Sequence, residues 1–151
     1  MSDMPATQDQ QVLITRIFDA PRDLVFRAWT DPEHVARWFG PEHFETASDS
    51  VAIDLRVGGR YELTMVQRDS GREFPLRYEI VELDPPGLLV LRSDPMPEVG
   101  NHEPTFTRVE LHDHGDKTRM TLTDGPYAEA GHAEAGWHAA FAKLDAVVTP
   151  R

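Results

Sequence analysis

The sequence predicts an α+β fold: a curved antiparallel sheet of about seven strands packed on one long C-terminal helix, with two short helices after the first strand. Three observations carry that prediction. Apolar and polar residues alternate with period two from residue 44 to about 124. Residues 19–41 switch to helical spacing, and the chain ends on an i, i+4, i+7, i+11 apolar stripe.

QVLITRIFD at 11–19 is rich in β-branched and aromatic residues and reads as the first strand. Residues 1–10 are expected to be a loose tail, and 11–151 a single domain. In DAPRDLVFRAWTDPEHVARWFGP, Leu24, Val25, Ala28 and Trp29 share one helical face, while Val35, Trp38 and Phe39 share another. Two short helices follow. Pro21 and Pro32 lie at or near their first positions, with Asp19 before one and Thr30 and Asp31 before the other as nearby capping oxygens. Gly40 offers a left-handed stop and Pro41 forbids continuation.

The strands are read from facing. Tyr61, Leu63 and Met65 oppose Glu62 and Thr64; Phe74, Leu76, Tyr78 and Ile80 oppose Arg77 and Glu79. Val109 and Leu111 oppose Arg108, Glu110 and His112, and Met120 and Leu122 oppose Arg119, Thr121 and Thr123. FETASDSVAIDL and LLVLRSD complete the strand set; VGGR, DSGR, DPPG and HGDK mark the hairpin turns, and PMPEVGNHEP is left irregular. The terminal stripe is Trp137, Phe141, Leu144 and Val148. Gly131 and Gly136 would each cost about 1 kcal/mol in a helix interior. The helix is therefore assigned to 137–148, with its start left open.

A chain of 151 residues can bury roughly two thirds of its unfolded surface, so no disulfide or metal staple is needed. Its net charge of −11, without a basic run longer than two residues, argues against nucleic acid and anionic membranes as partners. The longest apolar runs, such as LLVL at 88–91, fall far short of a membrane span. MSDMPATQDQ lacks the basic and apolar regions of a secretory signal, and there is no cysteine; a cytoplasmic location is the expectation.

Three words in order, ITRIFDAPRDLVFRAWTDPEHVARWFGP, IDLRVGGRYEL and the terminal GW…LD, resemble the AHSA-type family. These are homologues of the activator of the heat-shock-protein-ninety ATPase, within the START-like (SRPBCC) superfamily. The resemblance runs from about residue 12 to 148. It implies a helix-grip fold, in which the bent sheet wraps the C-terminal helix and leaves a cavity between them. Members of the superfamily use that space for lipids, polyketides, hormones or other apolar molecules, and a minority run chemistry there. The eukaryotic namesake carries an additional N-terminal domain that contributes to chaperone binding. Here the resemblance covers the helix-grip domain alone, so chaperone activation is the weaker expectation.

Enzyme signatures are missing from the sequence: G-x-S-x-G, G-x-G-x-x-G, the P-loop and H-E-x-x-H. His112 and His114 read as exposed hairpin-end residues, His34 and His43 as surface residues beside the Gly-Pro break, and His132 and His138 offer no third ligand. No metal and no cofactor are expected. Tyr61 and Tyr78 fall on apolar strand faces and need hydroxyl partners. They read as core tyrosines satisfied by backbone or water, or as groups that orient an apolar ligand. Met65 and Met120 share that facing, as do Leu63, Leu76 and Val109. In a helix-grip, Trp137 and Phe141 form the pocket floor, while Trp38 and Phe39 contribute to its rim after serving the core.

The leading expectation is a binding protein for a small hydrophobic or aromatic molecule, without dedicated catalysis, acting as a monomer or homodimer. A co-chaperone of a heat-shock-protein-ninety-type ATPase is the alternative, with the chaperone as partner. A polyketide cyclase or hydrolase is the second alternative, and it needs an inward-facing acid or base. Tyr61 and Tyr78, with ordinary pKa values near 10, are poor bases.

Overall fold

The computed structural model of the protein describes residues 8–97 and 100–149. Its elements follow the chain as β1 (Gln10–Phe18), α1 (Arg22–Thr30), α2 (Pro32–Trp38), β2 (Phe44–Thr46), β3 (Ala52–Ile53), β4 (Arg60–Gln67), β5 (Glu73–Asp84), β6 (Leu88–Ser93), β7 (Thr105–His114), β8 (Lys117–Tyr127) and α3 (Gly131–Val148). All strand pairs are antiparallel, in the order β1-β8-β7-β6-β5-β4-β2, with β3 also on β4. β1 therefore returns to the far end of the chain, against β8, with Ile14 opposite Leu122. The curled sheet grips α3 in a half-barrel, which is the helix-grip arrangement.

The core lies where α1, α2 and the C-terminal half of α3 meet the inner sheet face. Alternation puts Val109, Leu111, Met120 and Leu122 there, all buried. On the helix side Trp29 packs on Trp38 with ring centroids 4.6 Å apart, and Phe141 joins both at 6.1 and 6.3 Å. Trp38 Nε1 donates to the Ala28 carbonyl at 2.8 Å, tying α2 to α1. Asp31 caps α2 by accepting from Glu33 N at 3.0 Å, and Pro32 is its first residue. Gly40, with φ of 115°, then lets the chain leave the helix.

The structure changes or completes several expectations. α1 has Pro21 at its N-cap and no side-chain cap bond, so Asp19 does not serve it. FETASDSVAIDL is not one strand: β2 and β3 are separated by a 3-10 turn at Ser48–Ser50. There Ser50 Oγ accepts from Thr64 N at 2.9 Å and donates to the Ala47 carbonyl at 2.6 Å, so a side chain replaces ladder bonds. The start of α3, left open by the sequence, is at Gly131, and Gly136 lies on the side facing Pro41, where a Cβ would sit 3.4 Å from the proline ring. His34 is half-buried rather than on the surface, and its Nδ1 is sealed without a hydrogen-bond partner among the described residues. Of the expected tail, residues 1–7 lie outside the described residues, while the Gln8 amide donates to the Pro126 carbonyl at 2.7 Å and β1 starts at Gln10. Among the described residues no helix is long and apolar enough to cross a membrane.

Candidate functional site

The two halves of α3 differ in bulk. Its C-terminal half buries Phe141, Leu144 and Val148, whereas its N-terminal half lines the space beneath the sheet with Ala133, Gly136 and Ala139 beside the single large side chain of Trp137. Small side chains leave the space unfilled. A cavity of about 560 Å³ results, large enough for a small organic ligand. Phe39 and Phe44 close it at the junction of α2 and β2, Met65, Leu76 and Tyr78 line it from β4 and β5, and Met96 and Asn101 border it through their bridge.

The expected ligand contacts divide into two groups. Phe39, Met65, Leu76, Tyr78 and Trp137 line this cavity. Trp38, Tyr61, Leu63, Val109, Met120 and Phe141 do not; each is buried in the core, because the helices and the heavier half of α3 cover that part of the sheet. The two tyrosines separate cleanly. Tyr61 is sealed, and its hydroxyl donates to the Trp29 carbonyl at 2.6 Å, so it is a core tyrosine satisfied by backbone. Tyr78 is half-buried, packs edge-on against Tyr61 at 6.1 Å, and its hydroxyl bonds to no described residue. Tyr61→Phe is expected to lower stability by about 1–2 kcal/mol through the orphaned carbonyl, and Tyr78→Phe by under about 0.5 kcal/mol. Urea unfolding of both variants checks the contrast, and equal losses would contradict it.

The polar end of the cavity is built around Asp124. Its side chain faces inward because it continues the parity of Met120 and Leu122 along β8. Thr107, directly opposite on β7, donates to Oδ1 at 2.9 Å. Tyr127 and Trp137 both donate to Oδ2, at 2.6 and 2.7 Å. Burial pushes the carboxyl up from its ordinary 3.8, while these bonds and the Gly125 backbone pull it down; burial wins. The phenols of Tyr78 and Tyr127 are raised chiefly by burial and then by the Asp124 charge, so both stay protonated donors. Part of Asp124's role is structural, since its bond to Trp137 pins α3 to the sheet. Among the described residues no three metal-ligating side chains converge.

Asp124 was absent from the sequence expectations, although the alternation that placed Met120 and Leu122 inward extends to it. The alanine-rich first half of α3 was the other available signal. Both concern a void, and a void has no residue of its own to read.

Residues 19–149 match the family described as Activator of Hsp90 ATPase homolog 1-like protein, AHSA1. No curated protein matches the chain in sequence. Among solved structures it is similar to protein CV1439 from Chromobacterium violaceum, at 24% identity and a TM-score of 0.85 over 93% of this chain and 98% of that one. An AHSA1-like protein from Aeromonas hydrophila aligns at 20% identity and 0.77, covering 92% of each chain. Protein Ms6760 from Mycobacterium smegmatis aligns at 22% and 0.75, covering 99% of this chain and 98% of its own. At these identities the structures speak for the fold. The family match spans most of the chain and the architecture agrees with it: the protein belongs to the AHSA1 family, the Activator of Hsp90 ATPase homolog 1-like proteins.

Proposed function

We propose that this chain binds a small, largely apolar molecule between its sheet and the N-terminal half of α3, without dedicated catalysis. The observation that carries the reading is the cavity itself, about 560 Å³ with a mostly apolar and aromatic wall and one polar end at Asp124, Tyr127 and Tyr78. Phe39, Met65, Leu76, Tyr78 and Trp137 are the ligand contacts in this proposal. The buried residues Trp38, Tyr61, Leu63, Val109, Met120 and Phe141 support that wall from behind. A cytoplasmic site of action belongs to the same reading, in keeping with a chain that has no cysteine.

The cyclase or hydrolase alternative asked for an inward-facing acid or base, and Asp124 is one. Three side-chain donors and the Gly125 backbone already take up the roughly four acceptor positions of its two oxygens, so it must release a structural bond before it can take a substrate proton. That favours an anchoring role over a catalytic one. Stimulation of a heat-shock-protein-ninety-type ATPase draws on the family description and on no feature of this cavity.

Nile red, a neutral apolar dye, tests the proposal. It is expected to bind, and a saturating ligand at a hundredfold excess over Kd should add about 2.7 kcal/mol to stability. Ala133→Trp, which fills the helix side of the cavity, should weaken dye binding by about tenfold or more. A protein that binds no dye, and that carries no small molecule in native mass spectrometry after gentle purification, would refute the reading.

A further inference from the structure

The cavity has an unusual charge balance for a pocket that is mostly apolar. Asp124 is only 2% exposed, and none of the ion pairs among the described residues includes it. Trp137 Nε1 can only donate, and the Thr107 and Tyr127 hydroxyls are placed to donate to the two oxygens, an arrangement that favours the ionised carboxylate against the burial that disfavours it. A buried carboxylate without a countercharge is costly. The cavity wall contains no lysine or arginine among the described residues, yet it carries two further carboxylates, Glu42 and Glu129, exposed at its rim. The basic side chain there is His132, also exposed.

Aromatic rings complete the picture. Phe39 and Trp137 stand edge to face at 5.6 Å, whereas Phe74, 5.6 Å from Phe44 on the opposite wall, already carries the Arg72 guanidinium 4.9 Å from its ring centroid. Tyr78 and Tyr127 flank Asp124. Ring faces attract cations through their quadrupole, and three carboxylates without a lysine or arginine partner do so through charge. The same groups repel a carboxylate headgroup.

Building on the binding function proposed above, we propose that the ligand of this cavity is an organic cation: an apolar, ring-bearing molecule with an ammonium group, seated against the aromatic walls with its charge toward Asp124. Its ammonium supplies the countercharge that the protein withholds from Asp124. Fatty acids and other carboxylates are disfavoured on the same ground.

Three naphthalene derivatives closely matched in size but differing in headgroup test this by titration calorimetry: naphthylmethylammonium, naphthylmethanol and naphthoate. The ammonium is expected to bind about tenfold or more tightly than the alcohol, with naphthoate weaker than either. Asp124→Asn should reduce the ammonium-to-alcohol ratio to about threefold or less. The headgroup series on the unaltered protein decides the matter if that variant fails to fold. If Nile red and the alcohol bind but the ammonium binds no more tightly than the alcohol, the cation proposal falls and the cavity reading stands. If neither Nile red nor any of the three probes binds, both fall.

Discussion

Replacing Trp38 by alanine is expected to destabilise the protein by about 4 kcal/mol, the range seen when a buried tryptophan is truncated in a packed core. Trp38 is fully buried, and three aromatic neighbours lie against it: Trp29 at 4.6 Å, Phe39 at 5.4 Å and Phe141 at 6.3 Å. Truncation opens a void among rings that cannot easily collapse, because Trp29 and Phe141 belong to elements held by the sheet. It also strands the Ala28 carbonyl that accepts from Trp38 Nε1. At roughly 2–4 °C per kcal/mol for a chain of this size, the melting temperature should fall by about 12 °C. Calorimetry and urea unfolding measure this directly. A loss under about 1 kcal/mol would show that the aromatic cluster repacks, contrary to the geometry described here.

Gly59→Ala should cost about 3 kcal/mol, against about 1 kcal/mol for Gly58→Ala beside it. The two glycines in VGGR do different things. Gly58 has φ of 84° with open space around it, so a side chain there meets only backbone strain. At Gly59 an added Cβ would overlap the Asp54 carbonyl oxygen and lie 2.9 Å from that of Arg56. Those are backbone atoms, which cannot swing aside as a flexible side chain would. They also belong to a loop bonded to the sheet: Gly58 N donates to the Ile80 carbonyl at 2.7 Å, and Ile80 N to that of Gly59 at 2.9 Å. Making room for a methyl therefore disturbs β3, β4 and β5 together. Chemical denaturation of the two single variants gives the comparison, and a Gly58 variant as damaged as the Gly59 one would contradict it.

Legibility followed the range of the interactions involved. Asp31, Pro32 and Gly40 start and stop α2 through contacts within a few residues, and those were readable. The partition of Tyr61 from Tyr78 was not, because both obey the same strand parity and are paired in register across β4 and β5. What separates them is the Trp29 carbonyl, 32 positions from Tyr61 in the chain, which reaches one hydroxyl and not the other. The break of FETASDSVAIDL was hidden for a similar reason: its turn depends on Ser50 meeting Thr64. Six of the expected ligand contacts lie in the core because periodicity, in strand or helix, distinguishes inside from outside but not packed from lining.

By itself the sequence determined the order of the elements, the inward face of each long strand, the two short helices and the family to which those words belong, since periodicity, caps and turn residues act locally. Only the tertiary structure decided where the interior is empty, which tyrosine is sealed, and that Asp124 stands at the cavity's polar end under three donors. The physical reason is that a cavity is set by how far the alanine-rich half of α3 is held from the sheet. That distance is fixed by Trp137 reaching Asp124, by Gly136 passing Pro41 and by Phe141 entering the aromatic core, contacts between parts of the chain that no local pattern connects.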